Sequence, residues 1–183
     1  MIDWKEQWEL HAPTFKEGYA HVKLKGNLSF RMKPGPGFGD LSHPTTRLML
    51  EMLPDKIEGT VIDVGCGSGV LSLAAKLLGA NEVIGIDIDE GAIRHAKENA
   101  ELNGLDCYFG KKLPSLPQNP LILMNMISSE QKIAWSSLPE FKSYRLIVSG
   151  YPLNEKEPHF NGALIQKGVL EGWKGFLFEK ISS

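Results

Sequence analysis

The sequence predicts an α/β fold in which a mostly parallel, doubly wound sheet carries helices on both faces. Three observations lead there. Short β-rich runs alternate with helical patterns between residues 44 and 151, and such alternation means parallel strands joined by right-handed crossovers. The run LILMNM, 121–126, is apolar almost throughout, as a strand buried on both faces must be. The stretch IDVGCGSGVLSLAAKLLGANEVIGIDID, Ile62 to Asp89, leaves an apolar run through Gly65, Gly67 and Gly69, enters a helical pattern, and closes a second apolar run on Asp87. Strand, glycine turn, helix, strand and acid in that order make a Rossmann-like nucleotide site.

The elements follow in order. Residues 2–11 suit a short helix, and 19–32 alternate enough for a hairpin through Val22, Leu24, Leu28 and Phe30. KPGPGFGD, Lys33 to Asp40, is a turn-rich break, because glycine and proline punctuate structure. SHPTTRLMLEML reads as a helix with Pro44 in its first turn and Leu48, Met49, Met52 and Leu53 as its stripe. TVIDV (60–64) and EVIGIDI (82–88) are strands, with a helix from Val70 to Leu78 between them. EGAIRHAKENAELNG (90–104) is a second such helix, N-capped by Asp89 and stopped by Gly104. DCYF (106–109) is a weak strand and LILMNM a strong one. EQKIAWSSL reads as a helix, and YRLIVSGY (144–151) and KGFLFEKI (174–181) read as strands.

The totals set limits. The 183 residues suffice for one domain with an appendage. We place an N-terminal extension at 1–33 and a ligand-binding domain at 34–183. Hydrophobic content of 42% and charged content of 23% are those of a globular chain with a real core. A net charge of −2 argues against a chain-wide nucleic-acid footprint. Cys66 and Cys107 form neither a CxxC pair nor a disulfide framework, no apolar run reaches transmembrane length, and MIDWKEQWEL is no signal peptide. A cytoplasmic setting away from membranes is expected. No His, Cys or acid cluster has metal-ligand spacing, so no metal is expected.

The glycine loop narrows the ligand. Its spacing is G-x-G-x-G, GCGSG, where the dinucleotide fingerprint needs G-x-G-x-x-G and the phosphate loop needs Gly-Lys-Ser/Thr. Such a turn is expected to place bare N–H groups and a helix N-terminus at the sheet's C-terminal edge, with Gly67 leaving the ligand its line of approach. Asp87, about twenty residues on, is where a carboxylate reaches ribose hydroxyls. The pair favours an adenosine-containing ligand, and the missing fingerprint favours S-adenosylmethionine over NAD. His43, His95 and Cys66 read as structural.

At this point the chain resembles the class I S-adenosylmethionine-dependent methyltransferases, and within them the ribosomal protein L-eleven methyltransferase family, PrmA. The likeness rests on GPGFGDLSHPTTRLMLEML, on the glycine block from Val61 to Leu105, on Asn125 in LILMNMISSEQ, and on the opening DWKEQW. The HPTT stretch is what singles out this family. The resemblance implies a methyltransferase sheet with an antiparallel C-terminal strand, transfer of a methyl group to a protein amine, and a ribosomal protein as partner. It places cofactor contacts at Thr46, Gly65, Asp87 and Asn125. Gly67 and Gly69 complete the loop, and Asn125 would orient the incoming amine. The family also carries a separate N-terminal domain that presents the ribosomal protein. The likeness here begins at residue 3, so the catalytic domain alone is expected. The sequence differs from the family at Gly39-Asp40-Leu41-Ser42 and Met126-Ile127-Ser128-Ser129, and it carries Lys111-Lys112 where many methyltransferases place an acid for adenine.

Two other readings stay open. One is a non-catalytic S-adenosylmethionine sensor or partner subunit, and the other an NAD-dependent oxidoreductase. Lys16, Lys23, Lys25, Arg31 and Lys33 against the single acid Glu17 form either a solvated hairpin face or a steering patch for an acidic partner.

Overall fold

A computed structural model describes residues 2–182. Five strands form its parallel part: β4 (Thr60–Val64), β5 (Glu82–Ile86), β6 (Tyr108–Gly110), β7 (Leu121–Asn125) and β8 (Tyr144–Pro152). Two more, β9 (Ala163–Leu170) and β10 (Trp173–Lys180), complete a seven-stranded sheet of order β6-β5-β4-β7-β8-β10-β9. All pairs from β6 to β8 are parallel, and β10 lies antiparallel between β8 and β9. The chain runs outward from β4 to β5 and β6, then returns to β7 on the other flank, so the strand order reverses at β4. That reversal opens a crevice at the C-terminal strand ends.

Alternation along the central strands divides the core. Val61, Leu121, Leu123 and Ile147 face one cluster, and Ile62, Val64, Ile122, Met124, Leu146 and Val148 face another, as side chains of a pleated strand must. The first cluster packs against α2 (Pro44–Met52), α3 (Val70–Leu77) and α4 (Glu90–Asn103), and the second against α5 (Ser128–Ser137). Helices therefore cover both faces, as the alternating pattern requires. Helix α2 lies close over the antiparallel end because Gly168 and Gly175 have no side chain to strike Leu48 and Met52.

The N-terminal residues form α1 (Trp4–His11) and a small sheet of β1 (Phe15–Lys16), β2 (Tyr19–Lys23) and β3 (Ser29–Met32). Trp8, Ala20, Val22, Phe30 and Met32 are buried in the same cluster as the α3 and α4 side chains. The predicted hairpin is present, extended by β1 through the turn at Glu17 and Gly18. The expected Asp89 cap accepts from the Gly91 N–H at 2.8 Å, and Gly104 ends α4 at a φ of 63°.

One strand escaped the sequence reading. The β9 strand pairs with β10 through Glu171 and Gly172, whose φ values are 46° and 86°. Positive φ at both central residues is the type I′ hairpin turn. The C-terminal end therefore holds two antiparallel strands, where one was expected. No helix among the described residues is long and apolar enough to cross a membrane.

Candidate cofactor site

The glycine loop leaves β4 at the strand reversal. Gly65, Gly67 and Gly69 take φ values of 71°, 54° and 82°, a left-handed region that other residues enter only at a cost. Each N–H of the loop has a protein acceptor. Gly65 and Cys66 donate to Ile86 O at 2.8 and 3.1 Å, Gly67 to Asp87 Oδ2 at 3.0 Å, Ser68 to Phe38 O at 2.8 Å, and Gly69 to Cys66 O at 2.8 Å. The expectation of bare loop N–H groups is thereby corrected: the fold uses these donors to lash the loop to β5 and to the preceding segment.

That segment, residues 33–39, lies across the loop as a strap. A Cβ on Gly37 would sit 2.5 Å from Gly67 C, and a Cβ on Gly67 would sit 2.6 Å from Phe38 O. The missing side chain at Gly67 thus makes room for the chain's own backbone, where the sequence suggested room for a ligand. Gly65 differs. Its Cβ would meet only the flexible end of the Met126 side chain, its methyl and sulfur.

Two carboxylates stand at the loop. Asp87, half-buried at the end of β5, accepts from the Gly67 N–H and, through Oδ1, from the Asp89 N–H at 3.0 Å. Asp63, buried in β4, accepts from the Ser72 hydroxyl at 2.6 Å. Burial, helped by the Asp87 charge, pushes the Asp63 carboxyl up to about 6. Burial and the same two acids raise the Cys66 thiol well above its ordinary value, which agrees with an inert, structural Cys66. Asp63 was missed in the sequence. Its signal was an acid inside the apolar run TVIDV.

Across the reversal, Asn125 ends β7 and donates through Nδ2 to Thr46 Oγ1 at 3.2 Å. Thr46 is fully buried in the first turn of α2. Two residues 79 positions apart in sequence therefore meet at the mouth of the crevice. His43 caps α2, its Nδ1 accepting from the Thr45 N–H at 3.3 Å, and its ring meets Trp173 at 4.8 Å. Burial, aided by the Arg47 charge, lowers its pKa.

The loop after Asn125 is fixed from below. Gln131 Nε2 donates to Met126 O at 2.7 Å and to Ser149 O at 2.8 Å, while Tyr151 donates to Gln131 Oε1 at 2.6 Å. Lys111 pairs with Glu90 at the surface. Two surface hollows of about 440 and 450 Å³ lie elsewhere, lined by none of the loop glycines, Asp87 or Asn125.

The chain is similar to known proteins in sequence and in fold. Residues 4–130 match the family described as "Ribosomal protein L11 methyltransferase (PrmA)". The chain belongs to this family. A ribosomal protein L11 methyltransferase of Citrifermentans bemidjiense is 38% identical over 152 residues, covering 70% of this chain and 49% of that protein. One from Alteromonas mediterranea is 35% identical over 184 residues, covering 92% of this chain and 63% of that protein. The chain thus spans about half to three-fifths of the length of these family members. Among solved structures, a ribosomal protein L11 methylase from Lactobacillus delbrueckii subsp. bulgaricus superposes with a TM-score of 0.59 at 24% identity, covering 76% of this chain and 77% of that one. A 16S rRNA N2 G1207 methyltransferase of T. thermophilus, in complex with AdoMet and guanosine, gives 0.65 at 23% identity, covering 89% and 50%. At those identities the two structures speak for the fold shared with the family.

Proposed function

We propose that this chain is an S-adenosylmethionine-dependent methyltransferase domain acting on a protein amine, with a ribosomal protein of the kind named by its relatives as the first acceptor to test. The observation that carries the cofactor is the loop's electrostatics. Its N–H groups are spent on protein acceptors and two carboxylates stand beside it. A pyrophosphate needs donors from such a loop, so NAD fits poorly. A ligand bearing a sulfonium and an ammonium needs acceptors and negative charge, which Asp63 and Asp87 supply.

When bound, S-adenosylmethionine supplies an electrophilic methyl group on a positively charged sulfur. The chain's own work is positioning. Asp87 remains open to the ribose hydroxyls while its two backbone donors hold it in place. Gly65 lets the ligand pass close to the backbone, and Gly69 carries the loop into α3. Thr46 fixes the Asn125 amide through Nδ2, which leaves Oδ1 to accept from the N–H of an incoming amine and aim its lone pair. Holding the nucleophile near and in line supplies most of the acceleration in such a displacement, and no general base is required of the site.

The thiols of Cys66 and Cys107 suit a reducing cytoplasm. The acceptor reaches the site between the strap and the loop after Asn125. The reading is tested by incubating the chain with isotopically labelled S-adenosylmethionine and either purified ribosomal protein L11 or whole-cell extract. Label on a protein band is the expected result. Tight cofactor binding with no label on any protein would favour the non-catalytic sensor.

A further inference from the structure

Helix α4 presents His95, Asn99 and Asn103 at four-residue spacing, one above the other on a single face. All three bond to the backbone of residues 31–37. Asn103 accepts from the Arg31 N–H at 2.9 Å and donates to Arg31 O at 2.7 Å. Asn99 accepts from the Lys33 N–H at 2.9 Å and donates to Ser68 O, inside the glycine loop, at 2.9 Å. His95 Nδ1 accepts from the Gly37 N–H at 3.1 Å, and its Nε2–H donates to Lys33 O at 2.7 Å. Strap, loop and helix are thus stitched by one ladder. Its upper rung ends one residue from Phe38, whose carbonyl receives the Ser68 N–H. The two lower rungs are held by neutral asparagines. The top one is held by an imidazole instead, almost fully buried against the edge of Trp8 at a centroid distance of 5.6 Å.

We infer that His95 is a positioning residue: in its neutral form it seats the strap on the glycine loop, and so sets how tightly the crevice holds its cofactor. The inference rests on the cofactor reading above. Only the Nε2–H tautomer can donate to Lys33 O and accept from Gly37 at once. A second proton must enter at Nδ1, where it faces the Gly37 N–H and breaks that bond. The charged neighbours of the ring are Lys33 on the strap, paired with Glu98 at 2.6 Å, and Glu98 on α4 itself. Trp8 on α1 adds no charge. Burial outweighs these groups and lowers the His95 pKa, so the strap stays seated near neutral pH and loosens on acidification.

The test uses S-adenosylhomocysteine, titrated calorimetrically into the full chain at pH 8 and at pH 5.5. Wild type is compared with His95→Gln, which keeps an acceptor and a donor but does not titrate, and with His95→Ala. At pH 8 the glutamine variant should match wild type within about twofold and the alanine variant should bind roughly tenfold more weakly. At pH 5.5 wild type should fall below the glutamine variant, the direction that protonation of His95 requires. Taking the ratio of the two removes the effect of Asp63, which titrates in the same range in both. Amide exchange at Gly37, corrected for intrinsic rates, should rise on acidification in wild type alone. If wild type and His95→Gln keep one affinity ratio at both pH values, the coupling is wrong. If Gly37 exchange is the same in both, the latch is wrong, even where the alanine variant fails to fold. Absence of binding by wild type overturns the cofactor reading and the coupling together, while the Gly37 exchange still decides the latch.

Discussion

Asp63 is enclosed in β4, and its raised carboxyl makes a definite demand on stability. The unfolded group ionises near 3.8 and the folded one near 6. Folding is therefore unpenalised below about pH 4, and the penalty grows until it is complete above about pH 6. Asp63→Asn keeps an acceptor for the Ser72 hydroxyl and removes the charge. Urea unfolding should find the variant more stable at pH 8 by up to about 3 kcal/mol, with the gain vanishing near pH 4. A gain independent of pH would contradict the cause. The same variant should bind the cationic cofactor more weakly, so Asp63 trades stability for the site. The position of Asp87 at a strand end was legible in the sequence. Asp63 was not, because a lone acid in a short apolar run reads equally as an exposed strand position. Nor could the sequence show that Asn125 and Thr46 bond to each other, since only the closed sheet brings α2 beside β7.

Among the elements, those with strong periodicity or clear caps formed where the sequence put them. Helix α2 starts at Pro44 behind the His43 cap, and α4 runs from the Asp89 cap to Gly104. The β9 strand was hidden because its residues are mostly exposed on both sides and show no apolar alternation. The Glu171-Gly172 turn was its one readable mark. The glycine loop and strap show a second limit of sequence reasoning. The need for glycine at 67 was visible, but its reason is a backbone contact with Phe38, far away in the sequence. Gly67→Ala should destabilise the fold by about 1–3 kcal/mol through strain at positive φ and displacement of Phe38, and it should speed amide exchange at Ser68. A variant as stable as wild type, with Ser68 still protected, would show that the strap does not press on the loop. Gly150 is a parallel case below Asn125. Its φ is 115°, and a Cβ there would run into the Met126 carbonyl. Gly150→Ala should lower the melting temperature by several degrees and shift the Asn125 amide resonances, while the same substitution at Gly104, which has open space around its Cβ position, should disturb only α4.

At the scale of the whole molecule, residues 2–33 share a hydrophobic cluster with α3 and α4, through Trp8, Val22, Phe30 and Met32. The expected outcome of thermal unfolding is one cooperative transition, followed alike by tryptophan fluorescence and by far-ultraviolet circular dichroism. Deleting residues 1–33 should expose that cluster and leave a chain that aggregates or unfolds at lower temperature. Two separate transitions would mean that the extension is an independent layer. The doubly wound sheet positions everything else: its reversal at β4 brings the glycine loop, Asp87, Asn125 and Thr46 to one edge, with the strap across them. On the proposed function, this edge holds an S-adenosyl cofactor on Asp87. The most direct measurement is calorimetric titration of the wild-type chain and of Asp87→Ala with S-adenosylhomocysteine and with NAD. S-adenosylhomocysteine alone should bind, and loss of the carboxylate's charge-assisted bonds should weaken it at least about tenfold. Equal affinity in a folded Asp87→Ala chain, or binding of NAD in its place, would contradict that reading.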